Sequence, residues 1–194
     1  MVTNRPLTRV KAQHGTTLLE VLVTIVILTI GLLGLAGLQT RLQSSEMEAY
    51  QRSQALILLN DMASRIATNR ANAANYAVAA PTTSPLGVGA DCAPAGTSTQ
   101  EVDASQWCEA LQGAAETLST SSVGAMVGGR GCVESLGSGE YRITVAWQGL
   151  TPMTGPASSC GTGLYAGATG TACTGDLCRR TVTTIVRIGD LTAS

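Results

Sequence analysis

Glu20 is the residue in this chain best placed to do chemistry, as the only formally charged side chain between Thr16 and Thr40. A carboxylate near the start of an apolar membrane helix costs on the order of 2–3 kcal/mol unless it finds a partner. The sequence offers one. If the chain is cut between Gly15 and Thr16, Thr16 carries a free cationic amine, and Glu20 stands one helical turn further on. There the carboxylate neutralises that amine, or the amine of a neighbouring copy, in surroundings that screen charge poorly. In a bundle of such helices the attraction sets axial register. The bland alternative is an interfacial Glu that stays solvated, and the Gly15-x-x-x-x-Glu20 spacing argues against it.

The other reactive side chains are Cys92, Cys108, Cys132, Cys160, Cys173 and Cys178, all beyond the apolar segment. An even number of cysteines in an exported region reads as a disulfide framework. The rival reading is a zinc cluster, but no C-x-x-C occurs and the only histidine, His14, precedes the proposed cut. Sequence leaves the pairing open, although Cys173 and Cys178 are near enough to close a small loop. Without His14 the processed chain has no imidazole for a general base, so an enzyme is disfavoured and no catalytic, cofactor or metal site is expected. The stretch Gly161-Thr162-Gly163-Leu164-Tyr165-Ala166 fits G-x-G-x-x-G/A, but no strand signal precedes it and no helix signal follows, so it reads as chance. Arg179-Arg180 is the one compact basic site that could take nucleic acid. The processed chain, however, holds nine arginines, no lysine and thirteen carboxylates, a formal charge of −4 that disfavours phosphate binding.

Positioning Glu20 falls to a long apolar segment. Val21 to Leu38 reads VLVTIVILTIGLLGLAGL. As a helix at ~1.5 Å per residue, residues 16–40 rise about 37 Å, enough to cross a hydrocarbon core of ~30 Å. Arg5, Arg9 and Lys11 precede it with no acid among them, which holds that end in the cytoplasm and sends the C-terminal part outward. An ordinary secretory signal is cut after its apolar core. Here Gly15 comes before the core, so cutting leaves the helix on the product. No cysteine sits near the junction, which excludes a lipoprotein anchor. Gly31, Gly34 and Gly37 recur every three residues, weakening the helix by ~1 kcal/mol each relative to Ala while permitting close helix approach.

Through His14-Gly15-Thr16-Thr17-Leu18-Leu19-Glu20-Val21-Leu22-Val23 the chain resembles the type IV prepilins and the type II secretion pseudopilins. In that family a glycine is recognised by prepilin peptidase, the first mature residue is usually Phe, and Glu occupies the fifth mature position, here Glu20. Thr16 stands where Phe is usual. The resemblance implies removal of residues 1–15, N-methylation of Thr16 and assembly through the helix. Ile30-Gly31-Leu32-Leu33-Gly34-Leu35-Ala36-Gly37-Leu38-Gln39 is similar to the minor pilins called PilV. Major pilins tend to carry a proline in this region; Gly37 occupies the corresponding place.

The implied function is that of a minor pilin, priming assembly of a type IV pilus or forming its tip, in the service of adhesion and twitching motility. Implied partners are prepilin peptidase, the major pilin, other minor pilins, a large tip adhesin, and the inner membrane before assembly. No nucleic acid is expected. The implied location is a single pass through the bacterial inner membrane with the head in the periplasm, then the cell-surface pilus. A type II secretion pseudopilin is the alternative, and a DNA-uptake pilin a more remote one.

The implied fold is α+β, the type IV pilin fold, in which a long N-terminal helix packs on a small antiparallel sheet with disulfide-stapled loops. Residue patterns give the same elements. Leu35, Leu38, Leu42, Ala49, Leu56, Leu59, Met62, Ala63 and Ile66 keep one apolar face at helical spacing, so a single helix is expected over residues 17–68. Residues 16–40 form its membrane half, residues 41–68 its amphipathic half, and residues 69–194 the head. Asn69, Asn72, Asn75, Pro81 and Pro85 mark helix exit and loop. A short helix is expected over residues 103–118, capped by Asp103, with Trp107, Leu111, Ala114 and Leu118 sharing a face and Cys108 stapled beside Trp107. Three strands are expected at residues 131–136, 140–147 and 181–188, with Gly137-Ser138-Gly139 turning between the first two. Residues 149–180 read as a cysteine-bearing loop. With two Trp, four Tyr and no Phe, the core is thin and aliphatic, which makes covalent staples necessary.

Overall fold

The computed structural model describes residues 17–77, 82, 84–114, 117–118, 121–122, 126–168 and 170–189. The proposed cut between Gly15 and Thr16 lies outside the described residues. Helix α1 runs Leu18–Thr68, 51 residues without interruption, within a residue of the expected helix at its start and coincident with it at its end. The chain forms two units that divide inside α1, between Gln43 and Ser44. In the first unit α1 is the element described, and its side chains are exposed on every face.

In the second unit α1 buries Gln51, Ala55, Leu59, Met62 and Ile66, a stripe at steps of three and four residues. Leu59, Met62 and Ile66 are on the expected face. Ala49 and Leu56 are not; both are exposed, and Gln51 and Ala55 take the inward positions. Apolar residues lie on several faces of this stretch, so only packing decides which face turns inward.

After α1 the order is a 3-10 turn at Arg70–Tyr76, β1 at Leu86–Gly87, α2 at Thr99–Leu111, β2 at Thr117–Leu118, β3 at Ser121–Ser122, β4 at Arg130–Gly137, β5 at Glu140–Gln148, a 3-10 turn at Thr174–Asp176, and β6 at Arg179–Arg187. Strands β1, β4, β5 and β6 make an antiparallel sheet in that order, and β2 and β3 pair separately. The three expected strands are β4, β5 and β6; the fourth, β1, falls in a stretch expected to be loop. In register, Val133 faces Ile143 and Ile143 faces Thr184. Strand alternation then gives the sheet two buried faces. On one, Val133, Tyr141, Ile143, Val145 and Trp147 join Leu59, Met62, Ile66, Trp107 and Leu111. On the other, Cys132 and Ala146 join Cys160 and Tyr165 of the segment that links β5 to β6.

Helix α2 starts earlier and stops sooner than expected. Its N-cap is Ser98, whose hydroxyl accepts from the Glu101 N–H while the Glu101 carboxylate accepts from the Ser98 N–H, a complete capping box. The Ser98 hydrogen bonds hold the Glu101 carboxyl below its usual range. Gly113, at φ +78, ends the helix, and Leu118 belongs to β2. Trp107 lies so close over Gly131 of β4 that a Cβ there would run into the indole. The indole N–H donates to the Leu58 carbonyl of α1 at 2.9 Å. One side chain thus wedges α2 between α1 and the sheet.

Candidate assembly site

In the first unit, Thr17 caps α1. Its hydroxyl accepts from the Glu20 N–H at 3.3 Å, and its carbonyl accepts from the N–H groups of Glu20 and Val21. Glu20 therefore sits in the first turn, where the exposed N–H groups and the helix dipole favour an anion. The spacing Thr17-x-x-Glu20 is itself a cap signature, legible in the sequence as a hydroxyl three residues ahead of a carboxylate. The Glu20 carboxylate has no partner among the described residues, and its expected partner, the Thr16 amine, lies outside them.

From Leu18 onward α1 is long and apolar enough to cross a membrane, with a mean hydropathy of 2.7 over its best window and none of that window buried. Val21, Ile25, Leu28 and Leu32 are as open as residues on the other faces. A helix apolar all round takes lipid or other helices as its surroundings. At Gly31, Gly34 and Gly37 an added Cβ would meet nothing within 4 Å. Among the described residues no contact asks for glycine there, so the reason lies in backbone softness or in what approaches from outside.

In the second unit the six candidate cysteines form three disulfides. Cys92–Cys108 ties the loop before α2 to that helix, Cys132–Cys160 ties the β5–β6 segment to β4, and Cys173–Cys178 closes a small loop ahead of β6. Among the described residues no cluster of His, Cys, Asp and Glu is placed to hold a metal ion. The basic pair of the sequence is engaged internally. Arg179 is buried and donates to the carbonyls of Pro156, Ser158 and Cys160, with Asp176 at 3.5 Å. Arg180 donates to the Thr151 carbonyl at 2.7 Å and lies 3.5 Å from Glu48. The glycine-rich stretch at 161–166 does hold an anion on its N–H groups, and that anion is the chain's own Asp176, bound by Gly163 and Tyr165.

Two further clusters leave almost no sequence signal, the i,i+4 spacing of Asp61 and Arg65 being the one trace. Arg65 joins Asp61 and Asp103 at 2.9 Å and Gln106 at 2.8 Å, and the Tyr76 hydroxyl donates to Asp103. Burial would lower the Arg65 pKa, but the bonds to Asp61 and Asp103 outweigh it and raise it. Burial first, then the Asp103 bond, pushes the Tyr76 phenol up to about 12. Tyr165 lies under the Arg130 guanidinium, 4.9 Å from its ring centre, and donates to the Gly128 carbonyl. Burial pushes its phenol up to about 12, against the opposing pull of Arg130.

Residues 37–115 match the family model described as type IV pilin Tt1218, and residues 10–36 match the prokaryotic N-terminal methylation motif. No curated protein and no solved structure matches the chain. A 51-residue helix apolar in its first part, a four-stranded antiparallel sheet and three disulfides have the form of the type IV pilin fold. The two matches meet end to end and support a type IV pilin that carries the prepilin methylation motif. That motif implies processing by prepilin peptidase and assembly with other pilins, and with the apolar helix it fits membrane anchoring followed by life in a pilus.

Proposed function

We propose that this chain is a minor pilin of a type IV pilus, PilV-like in its glycine-spaced segment. It enters the inner membrane through α1, with residues 69–194 on the periplasmic side. Prepilin peptidase cuts between Gly15 and Thr16, and Thr16 is N-methylated, which preserves the cationic amine. Glu20 then pairs with a Thr16 amine, its own or a neighbour's, and sets the register at which α1 enters the helix bundle. The head primes the filament or stands at its tip with other minor pilins and a large adhesin, supporting adhesion and twitching.

The observation that carries this reading is the methylation-motif match over residues 10–36, running directly into a pilin match over residues 37–115 along one uninterrupted helix. Intact mass of the protein purified from a pilus-bearing host tests the processing. The expected species is residues 16–194 with one added methyl group and three disulfides; an uncut chain overturns the reading. Deleting the gene should remove surface pili and twitching. Intact pili with failed exoprotein secretion would instead identify a type II secretion pseudopilin.

A further inference from the structure

Residues 149–178 carry Cys160, yet their only regular structure among the described residues is the single turn Thr174–Asp176. The Tyr165 ring packs with Cys132, Ala146 and Cys160, the Ser159 hydroxyl donates to Glu134 of β4, and the rest of the hold on the sheet is a short set of polar contacts around Asp176 and Arg179. Asp176 is 7% exposed and adopts φ +62, a left-handed conformation unusual outside glycine, directly after Gly175 at φ +60. Its carboxylate accepts from the Gly163 and Tyr165 N–H groups and lies 3.5 Å from Arg179. Arg179, 5% exposed, reaches the other way and donates to the carbonyls of Pro156, Ser158 and Cys160. Arg179, the first residue of β6, thus ties the stretch before Cys160 to the sheet, and Asp176 folds the stretch after Cys160 onto the turn directly ahead of that strand.

We propose that Asp176 and Arg179 are positioning residues for oxidative folding: they dock residues 149–178 on the sheet while Cys132 and Cys160 are still thiols, and so select the Cys132–Cys160 pairing over its competitors. Loop length sets the order. Cys173 and Cys178 are separated by 5 positions and Cys132 and Cys160 by 28, so the entropy of closure favours the short loop. Once closed, that short loop restrains Gly175 and Asp176 in the turn from which the carboxylate meets Gly163 and Tyr165. The long loop must bring β4 and the far segment together, and the Asp176–Arg179 grip does this before any bond between them exists. Each closure takes two thiols to one disulfide. The two electrons and two protons pass to a disulfide oxidant, which leaves as two thiols, and the second cysteine attacks the mixed disulfide formed on the first. The rate of that attack rises with the fraction of time the two sulfurs are held together. Nothing in this step depends on filament assembly.

The test uses the full chain in detergent, reduced and then oxidised with glutathione disulfide, quenched at intervals and mapped by peptide mass spectrometry. In Asp176→Ala, Cys173–Cys178 and Cys92–Cys108 should close at the normal rate. Cys132–Cys160 should slow roughly tenfold, with glutathione trapped on Cys132 or Cys160, as expected for loss of a charge-assisted grip. Closure of Cys132–Cys160 at the normal rate overturns the proposal. So does equal slowing of all three disulfides, which would assign Asp176 to overall stability. A Cys132→Ser/Cys160→Ser chain supplies the converse. Its Gly163 and Tyr165 amides should remain protected from hydrogen exchange, because docking comes first; unprotected amides would show that the disulfide makes the grip, and would equally overturn the idea.

Discussion

Asp103 lies inside α2, where its carboxylate takes the Arg65 guanidinium at 2.9 Å and the Tyr76 hydroxyl. In the sequence it has the look of a helix cap, since nothing local announces an arginine 38 positions away. The true cap, Ser98 with Glu101 three residues on, was written in the chain, and so was Thr17 ahead of Glu20. Glu20 was legible for a different reason, because one charge in an apolar run stands out without any structure. Asp176 was not legible at all: its ligands are backbone N–H groups more than ten positions away, and backbone groups carry no sequence signal. Asp103→Ala leaves Arg65 its bond to Asp61 and deprives Tyr76 of its acceptor, so it should lower stability by about 2 kcal/mol in urea titrations of the detergent-solubilised protein. Glu20→Gln keeps shape and helix propensity while removing the charge. If pairing with the Thr16 amine sets register, its incorporation into purified pili should fall roughly tenfold, equivalent to ~1.4 kcal/mol, with unchanged stability of the detergent-solubilised protein. Normal incorporation would sink the pairing.

At the scale of elements, α1, β4, β5 and β6 were readable because each repeats its pattern over eight residues or more. Strand β1 has two residues and exists only through its partners, Leu86 opposite Gly131 and Gly87 opposite Arg130. Gly131 is itself dictated by another element, since the Trp107 indole of α2 occupies the space a Cβ would need. Glycine therefore has two meanings in this chain. Gly131→Ala should disrupt the seat of α2 and destabilise the head, visible as a lower urea midpoint. Gly31→Ala, Gly34→Ala and Gly37→Ala meet nothing among the described residues, and each should make the helix more favourable by ~1 kcal/mol. Circular dichroism of the triple variant in detergent should show no loss of helix. If these positions serve close approach of neighbouring helices, its entry into filaments should fall all the same; unchanged entry would leave them as residues merely tolerated in lipid.

At the scale of the whole molecule, the four-stranded sheet of the head carries a separate core on each face, and the two are of different make. The helix side has Tyr76 beside Trp107 and Ile66; the loop side has Tyr165 beside the Cys132–Cys160 disulfide. Sequence composition suggested a thin aliphatic core, yet both Trp and three of the four Tyr are buried in the two cores, because the few aromatics of the chain are concentrated there; nor does composition say which cysteines meet, since pairing depends on how a sheet face and a linking segment come together. Each core also holds one phenol whose pKa stands at about 12, raised by burial from 10.0. A raised pKa means that the folded state favours the protonated form. Each phenol's contribution is therefore complete below pH 10 and is lost as pH climbs from 10 towards 12. If the sheet couples the two cores, both phenols should ionise in one step together with unfolding. In a Tyr50→Phe/Tyr141→Phe background, which leaves Tyr76 and Tyr165 as the only phenols, phenolate absorbance and loss of sheet circular dichroism should then follow the same curve. Tyr165→Phe removes one of the two groups along with its bond to the Gly128 carbonyl. It should lower stability at neutral pH and make the alkaline fall shallower, while the absorbance and dichroism curves still coincide. Two separate steps in the titration of the Tyr50→Phe/Tyr141→Phe background would mean that the helix side and the loop side of the sheet unfold independently.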